Sequence, residues 1–149
     1  MKDRYNREIT YMRLSVTDLC NLKCKYCMPN GCVNHSEPLS FEDLLDICEC
    51  AVDLGIKKIR ITGGEPLVRN GIIDFCHRVS KIENLEELTI TTNGILLKEK
   101  ALALKQAGVA RINISLDTLN RDKYVEITGC DKLDDVLMGI DTAQKLDFK

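Results

Sequence analysis

The sequence predicts an α/β fold, a partial (β/α) TIM-like barrel of about four β/α units. Three observations carry that expectation. Strand-like runs alternate with helical ones, the pattern of βαβ units on a parallel sheet. Each strand-like run alternates apolar and polar residues, whereas a parallel strand buried on both faces reads as one apolar run. Finally, the polar positions recur in all four strands, so one sheet face lies under helices and the other forms a polar wall around a ligand.

The first strand-like run, 9–16 (ITYMRLSV), sets Arg13 and Ser15 against Met12, Leu14 and Val16. The helix expected at 40–54 places Leu44, Leu45, Cys48, Ala51 and Val52 at helical spacing. Ser40 with Asp43 forms its capping box, and Gly55 marks its end. The run 57–62 (KKIRIT) then opposes Arg60 and Thr62 to Ile59 and Ile61, with Lys57 and Lys58 as a solvated strand entrance. A helix at about 70–82 carries Ile72, Phe75, Cys76 and Val79 on one side. The run 87–92 (ELTITT) shows Thr89 and Thr91 against Leu88 and Ile90, and a helix follows over 97–107 to Gly108. The fourth run, 109–116 (VARINISL), opposes Asn113 and Ser115 to Ile112 and Ile114. A short helix near 120–127 and a longer one at 133–146 complete the pattern. That last helix runs into Leu146–Lys149, where a further strand is due, so residues 1–149 read as the front part of a longer barrel domain.

Composition excludes several classes. At 149 residues and 44% hydrophobic, the chain is long and apolar enough for one domain with a real core, which argues against disorder. Twenty-one basic residues against 23 acidic ones leave a net charge of −2, unsuited to a nucleic-acid surface. No run approaches the roughly 20 apolar residues of a membrane span. The charged start, MKDRYNRE, lacks a secretory apolar stretch, so a cytoplasmic location is expected. In a reducing compartment, eight cysteines point toward metal or catalysis rather than disulfides.

Cys20, Cys24 and Cys27 stand in a CxxxCxxC spacing directly after the first strand. Three thiolates on one loop can hold three irons of a [4Fe–4S] cube and leave the fourth iron open. The alternative is a zinc site completed by Cys32 or His35. Cys48 and Cys76 fall on apolar helix positions and read as small core residues. Cys32, Cys50 and Cys130 have no role legible in the pattern.

CxxxCxxC with Tyr26 before its last cysteine, followed by Gly63-Gly64-Glu65-Pro66, resembles the signature of the radical S-adenosylmethionine (SAM) enzymes. More narrowly, RLSVTDLCNLKCKYCMP, IRITGGEPLVR, TTNG and RINISLD are similar to the radical SAM enzymes that cyclise GTP in molybdenum cofactor biosynthesis. The resemblance implies a barrel of the radical SAM type, with Cys20, Cys24 and Cys27 holding the cluster. It also implies SAM binding by Tyr26, Gly63, Gly64, Glu65 and Ser115, and GTP binding by Arg13, Arg60 and Thr91. Guanidinium suits a triphosphate because it stays charged and donates in a planar fork. The glycines would let backbone approach a ligand closely. Bland readings stand beside these: Tyr26 packing on its loop, GGEP as a turn, and the arginines paired with Glu65 or Asp117.

The implied activity is that of a lyase. A reduced cluster cleaves SAM to a 5′-deoxyadenosyl radical, and GTP becomes 3′,8-cyclo-7,8-dihydro-GTP. An external low-potential electron donor is implied, and for the longer protein a homodimer. The chain alone is expected to be incomplete for turnover. Alternatives are a radical SAM enzyme maturing a peptide or protein, and a metal-binding fragment without turnover.

Overall fold

The computed structural model describes residues 2–27 and 38–148. Strands β1 (Tyr11–Ser15), β2 (Lys58–Thr62), β3 (Glu87–Thr92) and β4 (Arg111–Ile114) form one parallel sheet in chain order. Between and after them lie α1 (Phe41–Asp53), α2 (Ile72–Ser80), α3 (Leu97–Gln106), α4 (Arg121–Thr128) and α5 (Leu133–Lys145). Every expected strand and helix is present, although the strands are shorter than the alternating runs. A 3-10 turn that the periodicity does not predict, Pro66–Val68, follows β2; Pro66 starts it and Glu65 caps it by accepting the Leu67 N–H at 3.0 Å.

Local chemistry explains the helix ends. At the start of α1, the Asp43 N–H donates to Ser40 Oγ at 3.1 Å and the Ser40 N–H returns to Asp43 Oδ2 at 3.2 Å, completing the capping box. Just past its end, Gly55 adopts φ +100°, a left-handed conformation suited to glycine.

The core lies between the apolar sheet face and the helices. Leu14, Ile59, Ile61, Leu88 and Ile90 from the strands pack with Leu44, Cys48, Phe75, Cys76, Val79 and Leu104. Full burial of each large apolar side chain contributes about 1.5–3 kcal/mol. Phe41 and Phe75 stack with centroids 4.7 Å apart, joining α1 to α2. Cys48 and Cys76 are fully buried, and burial pushes both thiols up to about 12, as expected of core residues. Cys50 is exposed and Cys130 half-buried, both as free thiols.

The other sheet face is the polar wall, and register arranges it in rows. Tyr11, Lys58 and Glu87 align near the strand N-termini. Arg13, Arg60, Thr89 and Arg111 form the middle row. Ser15 with Thr62, and Thr91 with Asn113, lie toward the C-terminal ends. Among the described residues, no helix is long and apolar enough to cross a membrane.

Candidate active site at the strand C-termini

The loop after β1 is held from several sides. Its start is fixed by the Val16 N–H on Thr62 O at 3.0 Å, and Gly64 and Glu65 donate their N–H groups to Thr17 O and Leu19 O at 2.7 and 2.8 Å. On the far side, the Lys23 and Lys25 N–H groups donate to the carbonyls of Thr128 and Ile127, each at 3.0 Å. Those carbonyls belong to the end of α4, which would otherwise lack partners. Helix α4 therefore serves as a shelf for the cysteine loop, a role with no signal in the sequence.

So held, the loop turns Cys20, Cys24 and Cys27 into one cavity of about 250 Å³. Its walls also include Arg13, Tyr26, Gly63, Gly64, Glu65, Thr91 and Ser115. Of the site residues expected from sequence, Arg60 alone lies outside it. It lines a second cavity, of about 190 Å³, with Tyr11, Lys58, Glu87, Thr89 and Arg111. Cys32 and His35, the alternative zinc ligands, lie outside the described residues.

The paired glycines serve packing as well as any ligand. A Cβ on Gly63 would stand 2.5 Å from Thr17 O, and one on Gly64 would stand 2.3 Å from Leu19 O. The close approach that these positions demand is therefore to the cysteine loop itself. Gly63 also adopts φ +151°.

Glu65 is only 1% exposed, yet its carboxylate is well satisfied. Oε1 accepts the Leu67 N–H and, at 2.7 Å, the Thr92 hydroxyl; Oε2 accepts the Asn93 N–H at 2.7 Å. Burial holds its pKa above the ordinary carboxylate value, while these donors oppose the shift. Glu65 is thus committed to bracing the end of β3 against the turn after β2, and no arginine pairs with it. Asp117 is engaged too, accepting the Tyr26 hydroxyl at 2.9 Å. That bond raises the Tyr26 pKa, and Tyr26 is 62% exposed rather than packed away on the loop. Arg60 instead stands over the Tyr11 ring, 5.3 Å from its centroid, with Nε buried and unpartnered. Asn113 Nδ2, next to Thr91 in register, is a second buried donor without a partner.

The donor set fits an iron–sulfur cluster. Burial foremost, then the nearby charges of Glu65 and Cys27, keep the Cys20 thiol above its ordinary pKa, and burial with Cys27 and Cys20 does the same to Cys24. Such thiols ionise when a metal supplies the compensating charge. Among the described residues, no three Cys, His, Asp or Glu side chains are arranged to hold a single metal ion. Three cysteines lining one cavity can supply three irons of a [4Fe–4S] cube and leave the fourth open.

Comparison with known proteins agrees with this geometry. Residues 14–149 match the radical SAM superfamily, and the chain belongs to that superfamily. Its cofactors are a [4Fe–4S] cluster and S-adenosylmethionine. The chain is 54% identical to the GTP 3′,8-cyclase of Alkaliphilus oremlandii, covering 98% of this chain and 47% of that protein. It is 53% identical to the GTP 3′,8-cyclase of Geobacter sulfurreducens, over 98% of this chain and 46% of the relative. The chain thus spans about half the length of the curated relatives it matches. Among solved structures it resembles SuiB of Streptococcus suis bound to S-adenosylmethionine, with TM-score 0.80 at 22% identity over 94% of this chain and 32% of that one. It also resembles methylornithine synthase, with TM-score 0.75 at 16% identity over 93% of this chain and 41% of that one. These two likenesses concern the fold, an arc of the TIM-like barrel.

Sequence reasoning misses several residues. Lys58 and Arg111 join Arg60 in the lower cavity, and Asn93 and Asn113 face the site or the wall beside it. Lys58, exposed at the strand entrance as expected, also lines the lower cavity and pairs with Glu87 at 3.4 Å. Alternation marks which face each occupies, but only register brings together side chains from strands tens of residues apart.

Proposed function

We propose that this chain forms the SAM- and triphosphate-binding part of a GTP 3′,8-cyclase acting in molybdenum cofactor biosynthesis. The observation that carries the reading is Arg60, whose Nε is buried without a partner beside Lys58 and Arg111, with Glu87 the one acid in that cavity. A buried guanidinium donor left unpaired is costly, and a phosphate oxygen would satisfy it. The relatives at about 50% identity, each called GTP 3′,8-cyclase, support the same substrate. The peptide-maturing alternative has only fold likeness behind it.

In this reading Cys20, Cys24 and Cys27 ligate the cluster through three irons. When bound, the cluster supplies the electron that cleaves SAM. Tyr26, the Gly63–Glu65 backbone and Ser115 line the space for SAM, and Thr91 with Asn113 faces the nucleoside. Arg13 stands one strand from Arg60 in the same row, so the two can grip one polyphosphate chain. The electron comes from an external low-potential donor. A cytoplasmic location and a homodimer of the whole protein belong to the same proposal.

The test is isothermal titration of GTP into Arg60→Ala, Arg13→Ala and Arg60→Lys. Losing a charge-assisted contact costs on the order of 1.5–3 kcal/mol, so each Ala variant should bind GTP roughly ten- to a hundredfold more weakly. SAM affinity should stay near that of the parent chain. Lys should rescue only in part, because a point charge lacks the planar fork. Unchanged GTP affinity in both Ala variants would overturn the substrate assignment.

A further inference from the structure

Asn113 faces the nucleoside in the reading above, and its surroundings say which part of the nucleoside it meets. Ile112 and Ile114 turn to the core, so Arg111, Asn113 and Ser115 share the polar face along β4 and just past its end. Arg111 lines the lower cavity and Ser115 the cysteine cavity. The neighbouring strand repeats the order: Thr89, beside Arg111, lines the lower cavity, and Thr91, beside Asn113, lines the upper one. Successive residues on one face of a strand lie roughly 6–7 Å apart, so Asn113 stands midway between the level of the phosphates and that of SAM.

Asn113 is half-buried, with Nδ2 sealed in the wall and without a hydrogen-bond partner. Burial takes water from that nitrogen and gives nothing in return, so it calls for an acceptor that the described residues do not supply. The last torsion of an asparagine is soft, and a ligand standing over the wall can draw the amide toward it. With the triphosphate gripped in the Arg13 and Arg60 row and SAM at the strand ends, the part of GTP left at this level is the sugar. The new bond of the cyclised product forms at the 3′ carbon, so that carbon has to face SAM. A ribose offers two adjacent hydroxyls, each both donor and acceptor, and an amide offers a donor beside an acceptor. A phosphate or a carboxylate only accepts and would leave the amide oxygen unmatched.

We propose that Asn113 reads the sugar of GTP: its amide donates to one hydroxyl of the 2′,3′ diol and accepts from the other, selecting ribose and holding the 3′ carbon toward SAM. The inference rests on the GTP reading above and adds to it the residue that recognises the sugar.

The experiment titrates GTP and 2′,3′-dideoxy-GTP, which lacks both hydroxyls, into the anaerobically reconstituted chain and its Asn113→Ala and Asn113→Leu variants. Leu nearly matches Asn in size and keeps the wall filled should Ala fail to fold. The parent should bind GTP about tenfold or more tighter than the dideoxy nucleotide, as two hydrogen bonds to a neutral amide imply. Both variants should keep a preference of only about threefold or less, binding GTP more weakly and the dideoxy nucleotide as before. Inorganic tripolyphosphate and SAM should bind parent and variants alike, because Arg13, Arg60 and the cysteine cavity are untouched. An unchanged ratio of GTP to dideoxy affinity in the folded variants overturns the proposal, as does equal binding of the two nucleotides by the parent. Loss of SAM affinity in place of the nucleotide preference would assign Asn113 to SAM and overturn it too. Failure of the parent chain to bind either nucleotide would instead overturn the GTP reading itself.

Discussion

Gly64 has no room for a side chain, and the reason lies in the backbone of the loop it faces. An added Cβ would meet Leu19 O at 2.3 Å and Asp18 O at 2.6 Å, both main-chain atoms that no rotamer change can move aside. Gly64→Ala should therefore push the cysteine loop off its seat at a cost of about 1–3 kcal/mol, while the apolar core stays intact. Iron uptake on anaerobic reconstitution should drop sharply with little change in circular dichroism. Full iron loading in that variant would contradict the packing argument. The same contrast explains what could be read at this scale. The three cysteines and the GGEP turn are contiguous patterns, legible in the order of residues alone. Asn93 and Asn21 are two ordinary polar residues 72 positions apart, and only the fold joins them. The alternative reading, Arg13 or Arg60 paired with Glu65 or Asp117, fails for a related reason. Glu65 is used by Leu67, Thr92 and Asn93, and Asp117 by Tyr26, through contacts that no spacing reveals.

Among the elements, the turn after β2 does more than change direction. Arg69, which closes it, lays its guanidinium 3.9 Å over the ring of Phe41, the first residue of α1. One arm donates to Val16 O and the other to Leu39 O, so a single side chain ties the chain just before the cysteine loop to the chain just after it. Arg69→Lys retains the charge but can serve only one carbonyl well and stacks poorly. We expect a loss of about 1–2 kcal/mol, a fall in Tm of roughly 3–6 °C for a chain this size. An unchanged melting curve would show that the clasp is idle. Periodicity makes five helices and four strands legible, because each is long enough to repeat its pattern. The Pro66–Val68 turn is too short to repeat anything, and Pro66 is its one local signal. The docking of the loop on α4 leaves no trace in the sequence at all, since it runs through carbonyl oxygens that every residue has.

At the scale of the molecule, one alternation does most of the explaining. Apolar positions turned outward to the helices build the core, and polar positions turned inward build a wall of aligned rows. The wall ends at the strand C-termini, where the β1 loop, the glycine pair, the end of β3 and Ser115 converge on one cavity, the place where barrels of this class set their chemistry. Substrate recognition and the roles of these residues toward cluster and SAM are proposals, and the residues concerned line the two cavities described above. The central claim is that this cavity holds a [4Fe–4S] cluster on Cys20, Cys24 and Cys27 and presents it to SAM. The most direct measurement incubates the anaerobically reconstituted chain with SAM and a strong reductant, then quantifies iron and 5′-deoxyadenosine by mass spectrometry, beside Cys24→Ala. The account predicts about four irons per chain and reductant-dependent 5′-deoxyadenosine, with the product abolished in the variant. Stoichiometric zinc in place of iron, or undiminished 5′-deoxyadenosine from Cys24→Ala, would contradict it.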